Sequence, residues 1–367
     1  MFHYIVTSLL RYFVMIFIDA SRYSNTSQKT GVENYSFFLI NELVRLAPKE
    51  ITLISPRKID LHVPQIIIPF KRLWTQIRLC LEVIKNKKID NLFIPSHVMP
   101  IIYPENTTIT IHDVAFKRYP ESYGRLSRWY LNWGTKFAVK HAKTIIVPSS
   151  TTKDDLIKFY KADYQKIHVI PLGYKSVKRT DEKFRASRLN HYSLQPKKYF
   201  LFIGRVETKK NIQTLIKAFQ PISKEFPDIK LVLAGKTGVG GDAILKSAKS
   251  EKIIATGYIT DADKEALLMN CLCFVFPSLF EGFGLPLLEA MDASAPIIAS
   301  KIPTSYEIAK QNALFFKPFD VDMLAHFMQM MINDKNLKDK MIANHAETLK
   351  KYMWKNCAKE TYYLLKV

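Results

Sequence analysis

Short apolar runs alternate with helically spaced segments along the chain, and the pattern breaks once before restarting at Tyr199. In the first half the spacing predicts strands at 13–18, 51–54, 65–68, 91–94, 107–111, 144–148 and 167–170, with helices at 32–45, 73–85, 125–142 and 151–160. Parallel strands need crossover connections about the size of a helix, so this alternation points to a doubly wound parallel sheet. From Tyr199 onward the same rule predicts strands at 199–203, 230–234, 253–256, 273–277 and 296–300. A basic stretch between the halves, GYKSVKRTDEKFRASRLNHYSLQPKK, reads as a helix-poor linker. At 367 residues the chain is also long for a single core. The expectation is an α/β protein with domains at 1–175 and 199–350, a linker region at 176–198 and a last segment at 351–367.

Two segments of the second half carry chemistry. In PSLFEGFGLPLLEAM, a strand end leads into a turn, Gly282, Phe283 and Gly284, and then Leu285 and a helix opened by Pro286. Glu281 falls in the turn and Glu289 about one turn into the helix. Backbone N–H groups at such a turn suit a phosphate, and carboxylates on either side suit hydroxyls, which together is the outline of a sugar nucleotide. A buried turn before an amphipathic helix with two solvated acids fits the same letters. In YFLFIGRVETKKNIQTLIKAF, a strand breaks at Gly204 and a helix follows, with Asn211 as its expected N-cap. Arg205 and Lys210 fall on the intervening loop, read as exposed, beyond the carboxyl end of the strand, where open α/β sheets bind ligands. A solvated basic loop is the ordinary alternative. Extra positive charge before a helix start is unfavourable unless an anion arrives.

Composition narrows the partners. With 54 Lys and Arg against 33 Asp and Glu, the net charge is +21, which favours an anionic partner: nucleic acid, lipid headgroups or a phosphorylated substrate. Cys80, Cys271, Cys273 and Cys357 have no metal or redox spacing, which suits reduced thiols in a cytosolic setting. GKTGVGG at 235–241 is no Walker loop, because Lys230 stands where the first glycine is required. Asp261 and Asp263 precede a helical run and read as capping residues, as do Asp320 and Asp322, so no metal site is expected. Residues 1–18 are apolar but interrupted by Arg11. Phe13 to Ile18 read as the first strand, with 1–12 as an extension upstream of Met15. Arg125, Arg128, Lys136, Lys140 and Lys143 accompany Trp129, Tyr130 and Trp133 on one helix, and Lys71, Arg72, Arg78, Lys85, Lys87 and Lys88 add charge nearby. Such a helix fits an anionic membrane surface or a solvated face with packed aromatics.

The Gly-Arg and double-glutamate segments together resemble the group 1, or family-four, retaining glycosyltransferases of GT-B fold, similar to O-antigen and lipopolysaccharide mannosyltransferases. The resemblance extends over IDASRYSNTSQKTGVENYSFFLINEL, TIHDVAF at 110–116, IIVPSSTTKDDL at 145–156, KIHVIPLGY at 166–174, LVLAGKTG at 231–238, TGYITDADKEALL at 256–268, PIIASKIPTSYEI at 296–308 and NALFFKPFD. Ser294 departs from it, standing where the family usually has glycine. The resemblance implies two Rossmann-like domains facing across a cleft, the first for the acceptor and the second for the donor, with the last helix crossing back to the first. It implies that Glu281 holds sugar hydroxyls, Glu289 the ribose, and Arg205 and Lys210 the diphosphate, with Gly204, Gly282, Phe283, Gly284 and Leu285 in the donor site. His112 becomes a sugar or acceptor contact, although a lone histidine is more often structural. Gly31, after Thr30 in the loop following the first strand, brings backbone near the donor phosphates.

The expected reaction is hexose transfer, with mannose as the first choice, from a GDP- or UDP-linked donor to a glycan or lipid-linked acceptor in cell-surface polysaccharide synthesis. It needs no cofactor or metal, and it places the protein on the cytoplasmic face of the inner membrane without nucleic acid. The alternatives are a GT-B sugar-nucleotide epimerase and a basic nucleic-acid-binding protein.

Overall fold

The structure, a computed structural model, describes residues 14–26, 29–70, 74–176, 179–248 and 250–366. Residues 1–12, Phe13, Lys71 and Arg72, invoked above, lie outside them. The chain forms two compact units.

The first unit takes in residues up to Val114, Arg125–Pro171 and the residues from Trp354. Its strands are β1 (Ile16–Asp19), β2 (Ile51–Ser55), β3 (Gln65–Ile67), β4 (Asn91–Ile94), β5 (Asn106–Thr110), β6 (Thr144–Val147) and β7 (Ile167–Val169). They form one parallel sheet in the order β3-β2-β1-β4-β5-β6-β7. The helices are α1 (Gly31–Leu46), α2 (Cys80–Lys85, entered through a π-helical stretch, Trp74–Leu79), α3 (Arg125–His141) and α4 (Ser150–Tyr160). Central strands buried on both faces read as continuous apolar runs, which is why Ile16, Ile18, Leu92, Phe93 and Ile109 were legible and are fully buried. Thr30 ends the loop, as expected, but Gly31 does not lie in it. Thr30 caps α1 in a reciprocal box with Glu33, and Gly31 is the first helical residue. The last helix, Trp354–Leu365, lies against α1, with Trp354 stacked on Phe38 at 5.3 Å between ring centres. Its end is tied down by Asn91 donating to the Leu365 carbonyl (2.7 Å) and by Glu50 pairing with Lys366 (3.0 Å).

The second unit holds Ala115–Gly124 and Leu172–Met353. Its parallel sheet runs β10-β9-β8-β11-β12-β13, where β8 is Tyr199–Ile203, β9 Lys230–Ala234, β10 Ile253–Gly257, β11 Cys273–Phe276, β12 Ile297–Ser300 and β13 Leu314–Phe316. The helices used below are α5 (Glu182–His191), α6 (Ile212–Glu225), α7 (Gly241–Ser247), α8 (Asp261–Asn270) and α9 (Leu285–Asp292). Phe200, Phe202, Leu215, Phe219, Leu233 and Val275 form the centre of a core between the sheet and α6. All four cysteines are free and buried.

Three local expectations change. The stretch read as helix-poor contains α5, capped by Asp181 and held by long-range pairing: Arg188 Nε donates to Asp263 (2.8 Å), and Thr180 Oγ1 donates to Glu265 (2.7 Å). Asn211 occupies the start of α6 but caps nothing through its side chain. It adopts a left-handed φ of 55°, and its Oδ1 accepts instead from the Thr214 hydroxyl at 2.7 Å. Thr260, not Asp261, caps α8, with Asp263 completing the box. Asp320 does cap its helix, through Met323 N–H. Ser294, at φ 55°, occupies the left-handed position for which glycine is the low-strain residue.

Candidate active site

The double-glutamate and Gly-Arg segments come together because β8 and β11 are neighbours in the second sheet. The loop after β8 carries Arg205 and Lys210, and Leu279 N–H, from the loop after β11, donates to Lys209 O at 2.9 Å. Lys210 Nζ then lies 2.5 Å from Glu281 Oε1, with both side chains about five-sixths buried (15% and 16% exposed). Ser278 Oγ donates to the same carboxylate oxygen (2.7 Å), and Thr304 Oγ1 donates to the Glu281 carbonyl (2.9 Å). Glu281 is thus positioned from three directions. Arg205 is exposed, whereas Lys210, expected on an exposed loop, is not.

The glycine-rich 235–241 stretch explains the shape of this loop. Val206 N–H donates to Lys236 O (2.9 Å) and Gly238 N–H to Val206 O (2.8 Å), zipping the turns after β8 and β9 together. A Cβ on Gly235, at φ +145°, would stand 1.9 Å from Gly204 O, and one on Gly238 would stand 2.5 Å from Arg205 Cδ. These glycines let two loops touch and lay the Arg205 side chain across Gly238.

On α9, Glu289 pairs with Lys264 of α8 at 2.6 Å. Burial of the Lys264 amine lowers its pKa, but the charge and hydrogen bond of Glu289 outweigh this and the net direction is upward. Before α9, Gly284 adopts φ +118°, Phe283 is buried against Tyr352 (5.8 Å between rings), and no side chain caps the first amides of the helix. Glu281, Glu289, Arg205, Lys210, Gly204 and the Gly282–Leu285 turn therefore all belong to one unit. Lys264 and Ser278 complete the arrangement. Neither was singled out from the sequence, since each is recognised only through a partner distant in the chain or across a turn.

His112 and Gly31 belong to the other unit. A Cβ on Gly31 would meet nothing within 4 Å, so its lack of a side chain answers no internal packing. His112 follows β5, with Tyr35 edge-on at 4.6 Å and His97 at 5.2 Å between ring centres. Burial, then the His97 charge, push its pKa down to about 3 against a hydrogen bond to the Pro95 backbone. Proline has no N–H, and His112 Nε2 has no partner, so Nδ1 donates to the Pro95 carbonyl and Nε2 is left as a bare acceptor. At neutral pH the ring can accept a hydroxyl proton in a hydrogen bond but carries no charge. Among the described residues no group of three His, Cys, Asp or Glu side chains could hold a metal ion.

Comparison with known proteins identifies the family and the fold. Residues 181–348 match the family model for glycosyl transferases group 1, and residues 30–176 match that for glycosyltransferase family 4. The O-antigen chain mannosyltransferase B of Escherichia coli is 27% identical over 70% of this chain and 69% of its own length. RfbU, an O-antigen chain mannosyltransferase of Salmonella typhimurium, is 29% identical over 67% of this chain and 65% of its own. The serotype-specific mannosyltransferase WbdA of Escherichia coli is 30% identical over 59% of this chain, which spans only 26% of that longer protein. The fold matches that of Anabaena Alr3699/HepE in complex with UDP and glucose (TM-score 0.71, 16% identity, 96% of this chain and 99% of that one). It also matches WaaG, a glycosyltransferase involved in lipopolysaccharide biosynthesis (TM-score 0.71, 13% identity, 96% and 99%). With two parallel-sheet Rossmann-like units and both models matched along its length, the chain belongs to the group 1 glycosyltransferases of GT-B fold and is similar to O-antigen mannosyltransferases.

Proposed function

We propose that this protein transfers a hexose, with mannose the first choice, from a GDP- or UDP-linked donor to a glycan or lipid-linked acceptor, retaining the anomeric configuration. The observation that carries this reading is the pairing of the two glutamates with lysines of the same unit: Glu281 with Lys210, on the loop that also carries the exposed Arg205, and Glu289 with Lys264. In this reading Glu281 receives sugar hydroxyls, Glu289 the ribose, and Arg205 and Lys210 the diphosphate. The hard step is departure of the nucleoside diphosphate as charge builds on its oxygens. Fixed donors aimed at such charge are each worth about 3–4 kcal/mol, so two cations supply a substantial share of the barrier reduction without a metal. The leaving phosphate takes the acceptor proton on the same face. The relatives named for O-antigen synthesis support a role in cell-surface polysaccharide assembly.

We place the protein peripherally on the cytoplasmic face of the inner membrane. No helix among the described residues is long and apolar enough to cross a membrane. On α3, Leu126 (84% exposed) and Trp129 (66%) stand beside Arg125 and Arg128, and Ile77, Leu81 and Ile84 form a second exposed apolar row next to Arg78 and Lys85. Apolar side chains rimmed by cations suit an anionic leaflet. Thermal-shift screening against GDP, UDP and their sugars tests the central reading: selective stabilisation by one nucleoside diphosphate is expected, and none at millimolar ligand would overturn it.

A further inference from the structure

The chain leaves the first unit at Val114 and rejoins it at Arg125, and the residues between, Ala115–Gly124, fold with the second unit. They make a single helical turn, Ala115–Arg118, and a 3₁₀ turn, Pro120–Ser122. Tyr119 N–H donates to Ala115 O at 2.8 Å and Tyr123 N–H to Pro120 O at 3.2 Å, while buried Phe116 packs edge-on to Tyr123. The segment therefore has a shape of its own. Its side chains meet the loop after β11, far along the chain: Tyr119 Oη donates to Leu279 O at 3.3 Å, and its ring lies 6.2 Å from that of Phe280. Arg118 sets its guanidinium 5.5 Å from the centre of the same Phe280 ring, and Lys209 Nζ lies 5.7 Å from the centre of the Tyr123 ring.

We propose that Tyr119, assisted by Arg118, is a positioning residue: by holding Leu279 and Phe280 it fixes where Glu281 presents its carboxylate to the reacting sugar. The idea rests on the glycosyltransferase reading and extends it to a segment which that reading does not use. Glu281 needs such bracing. It is followed by Gly282, Phe283 and Gly284, with Gly284 at φ +118°, so the turn beyond it has little stiffness of its own. Thr304 grips the chain at the Glu281 carbonyl, and Tyr119 grips it two residues earlier, at the Leu279 carbonyl. Leu279 N–H in turn donates to Lys209 O, so the same brace sets the loop of Lys210, the partner of Glu281. Phe280 is buried, and a ring that meets both a cation and a second ring has a defined place. Displacing a reacting group by about 1 Å can cost about 10²-fold in rate, so a brace this close to Glu281 should be read in turnover.

Tyr119→Ala, Tyr119→Phe and Arg118→Gln in the full chain are compared with the unmodified protein in four measurements. These are melting temperature, amide hydrogen exchange in the 279–285 loop, calorimetric affinity for GDP and UDP, and release of nucleoside diphosphate from GDP-mannose and UDP-glucose. In Tyr119→Ala, exchange in the loop should rise about tenfold while β11 stays protected. Turnover should fall about tenfold or more, with affinity for the free nucleoside diphosphate held within about twofold. Tyr119→Phe keeps the ring on Phe280 and should fall between, which separates the hydroxyl from the packing. Arg118 is exposed, so Arg118→Gln should give a smaller loss at unchanged melting temperature. Should Tyr119→Ala fail to fold, the other two variants carry the test. Unchanged exchange in folded variants, or faster exchange with turnover intact, overturns the proposal. Parallel loss of turnover, nucleotide affinity and melting temperature overturns it too, since a merely structural residue would give that pattern. Failure of the unmodified protein to bind GDP or UDP sinks the glycosyltransferase reading instead, and hydrogen exchange still decides whether Tyr119 braces the loop.

Discussion

Lys210 and Glu281, 2.5 Å apart, join the loops after two neighbouring strands, so the cation expected to meet a diphosphate already has an anionic partner. Arg205, on the same loop as Lys210, is by contrast exposed. The two cations therefore have different structural obligations, and their removal should differ.

Arg205→Ala is expected to weaken nucleoside-diphosphate binding while moving stability by no more than about 0.5 kcal/mol, the usual range for an exposed residue. Lys210→Ala should weaken binding too but also destabilise the fold by about 1–3 kcal/mol, since it leaves the Glu281 carboxylate largely buried without its cation. Calorimetry and denaturant titration check both. Equal stability of the two variants would mean that the Lys210–Glu281 pair does not hold the site together.

How much of this was readable from the chain depends on the range of the interactions. The central strands were legible because burial on both faces writes a continuous apolar run, as in Tyr199–Ile203. The edge strand Leu314–Phe316 is three residues long and left no such record. Helix α5 was missed because only Leu189 in it is buried. Its stability comes from Arg188 and Asp263, which are 75 positions apart. The same holds for Lys264 and Glu289: each letter is ordinary, and the pair exists only once α8 and α9 are packed. Gly235 was noticed for a phosphate loop it does not form, and its requirement comes from a backbone oxygen 31 residues earlier.

Acid should destabilise the protein earlier than its carboxylates alone would require. An unfolded histidine takes up a proton near 6.5, whereas folded His112 does so only at about 3. Stability held above 6.5 is therefore lost progressively as pH falls from about 6.5 toward 3. His97, His168 and His345 are lowered too and act with the same sign, while Asp19, being raised, acts oppositely. Chemical denaturation between pH 7 and 5 should show a shallower loss for His112→Gln than for the unmodified protein. Parallel curves would mean that His112 is not held neutral by the fold.

Chelation is expected to leave turnover intact. Arg205 and Lys210 supply positive charge where the diphosphate is proposed to sit, and the Asp261 and Asp263 carboxylates are engaged with Lys175 and Arg188. Complete loss of transfer in EDTA, recovered with Mg²⁺ or Mn²⁺, would contradict this.

Anionic vesicles should retain the protein at low salt and release it as salt rises. Each basic residue near such a surface contributes about 1 kcal/mol, screened within a Debye length. Leu126→Ser together with Trp129→Ser should reduce retention while leaving nucleotide binding unchanged, since both side chains project from the first unit into solvent. Equal recovery in the supernatant with neutral and anionic vesicles at low salt would remove the membrane from the account.

The two glutamates should separate binding from turnover. Glu281→Gln changes a group proposed to meet the reacting sugar, where an interaction can strengthen as the bond breaks. Turnover should fall strongly while free nucleoside-diphosphate affinity changes little. Glu289→Gln changes a group proposed to hold the ribose, which is bound alike before and during reaction, so affinity for the free nucleoside diphosphate should fall as well. Each substitution also removes the anionic partner of a lysine, Lys210 in one case and Lys264 in the other. Stability must therefore be measured alongside, and glutamine keeps the shape while testing the charge. Should Glu281→Gln lose nucleotide affinity while Glu289→Gln keeps it, with both folded, the two carboxylates have been assigned in reverse.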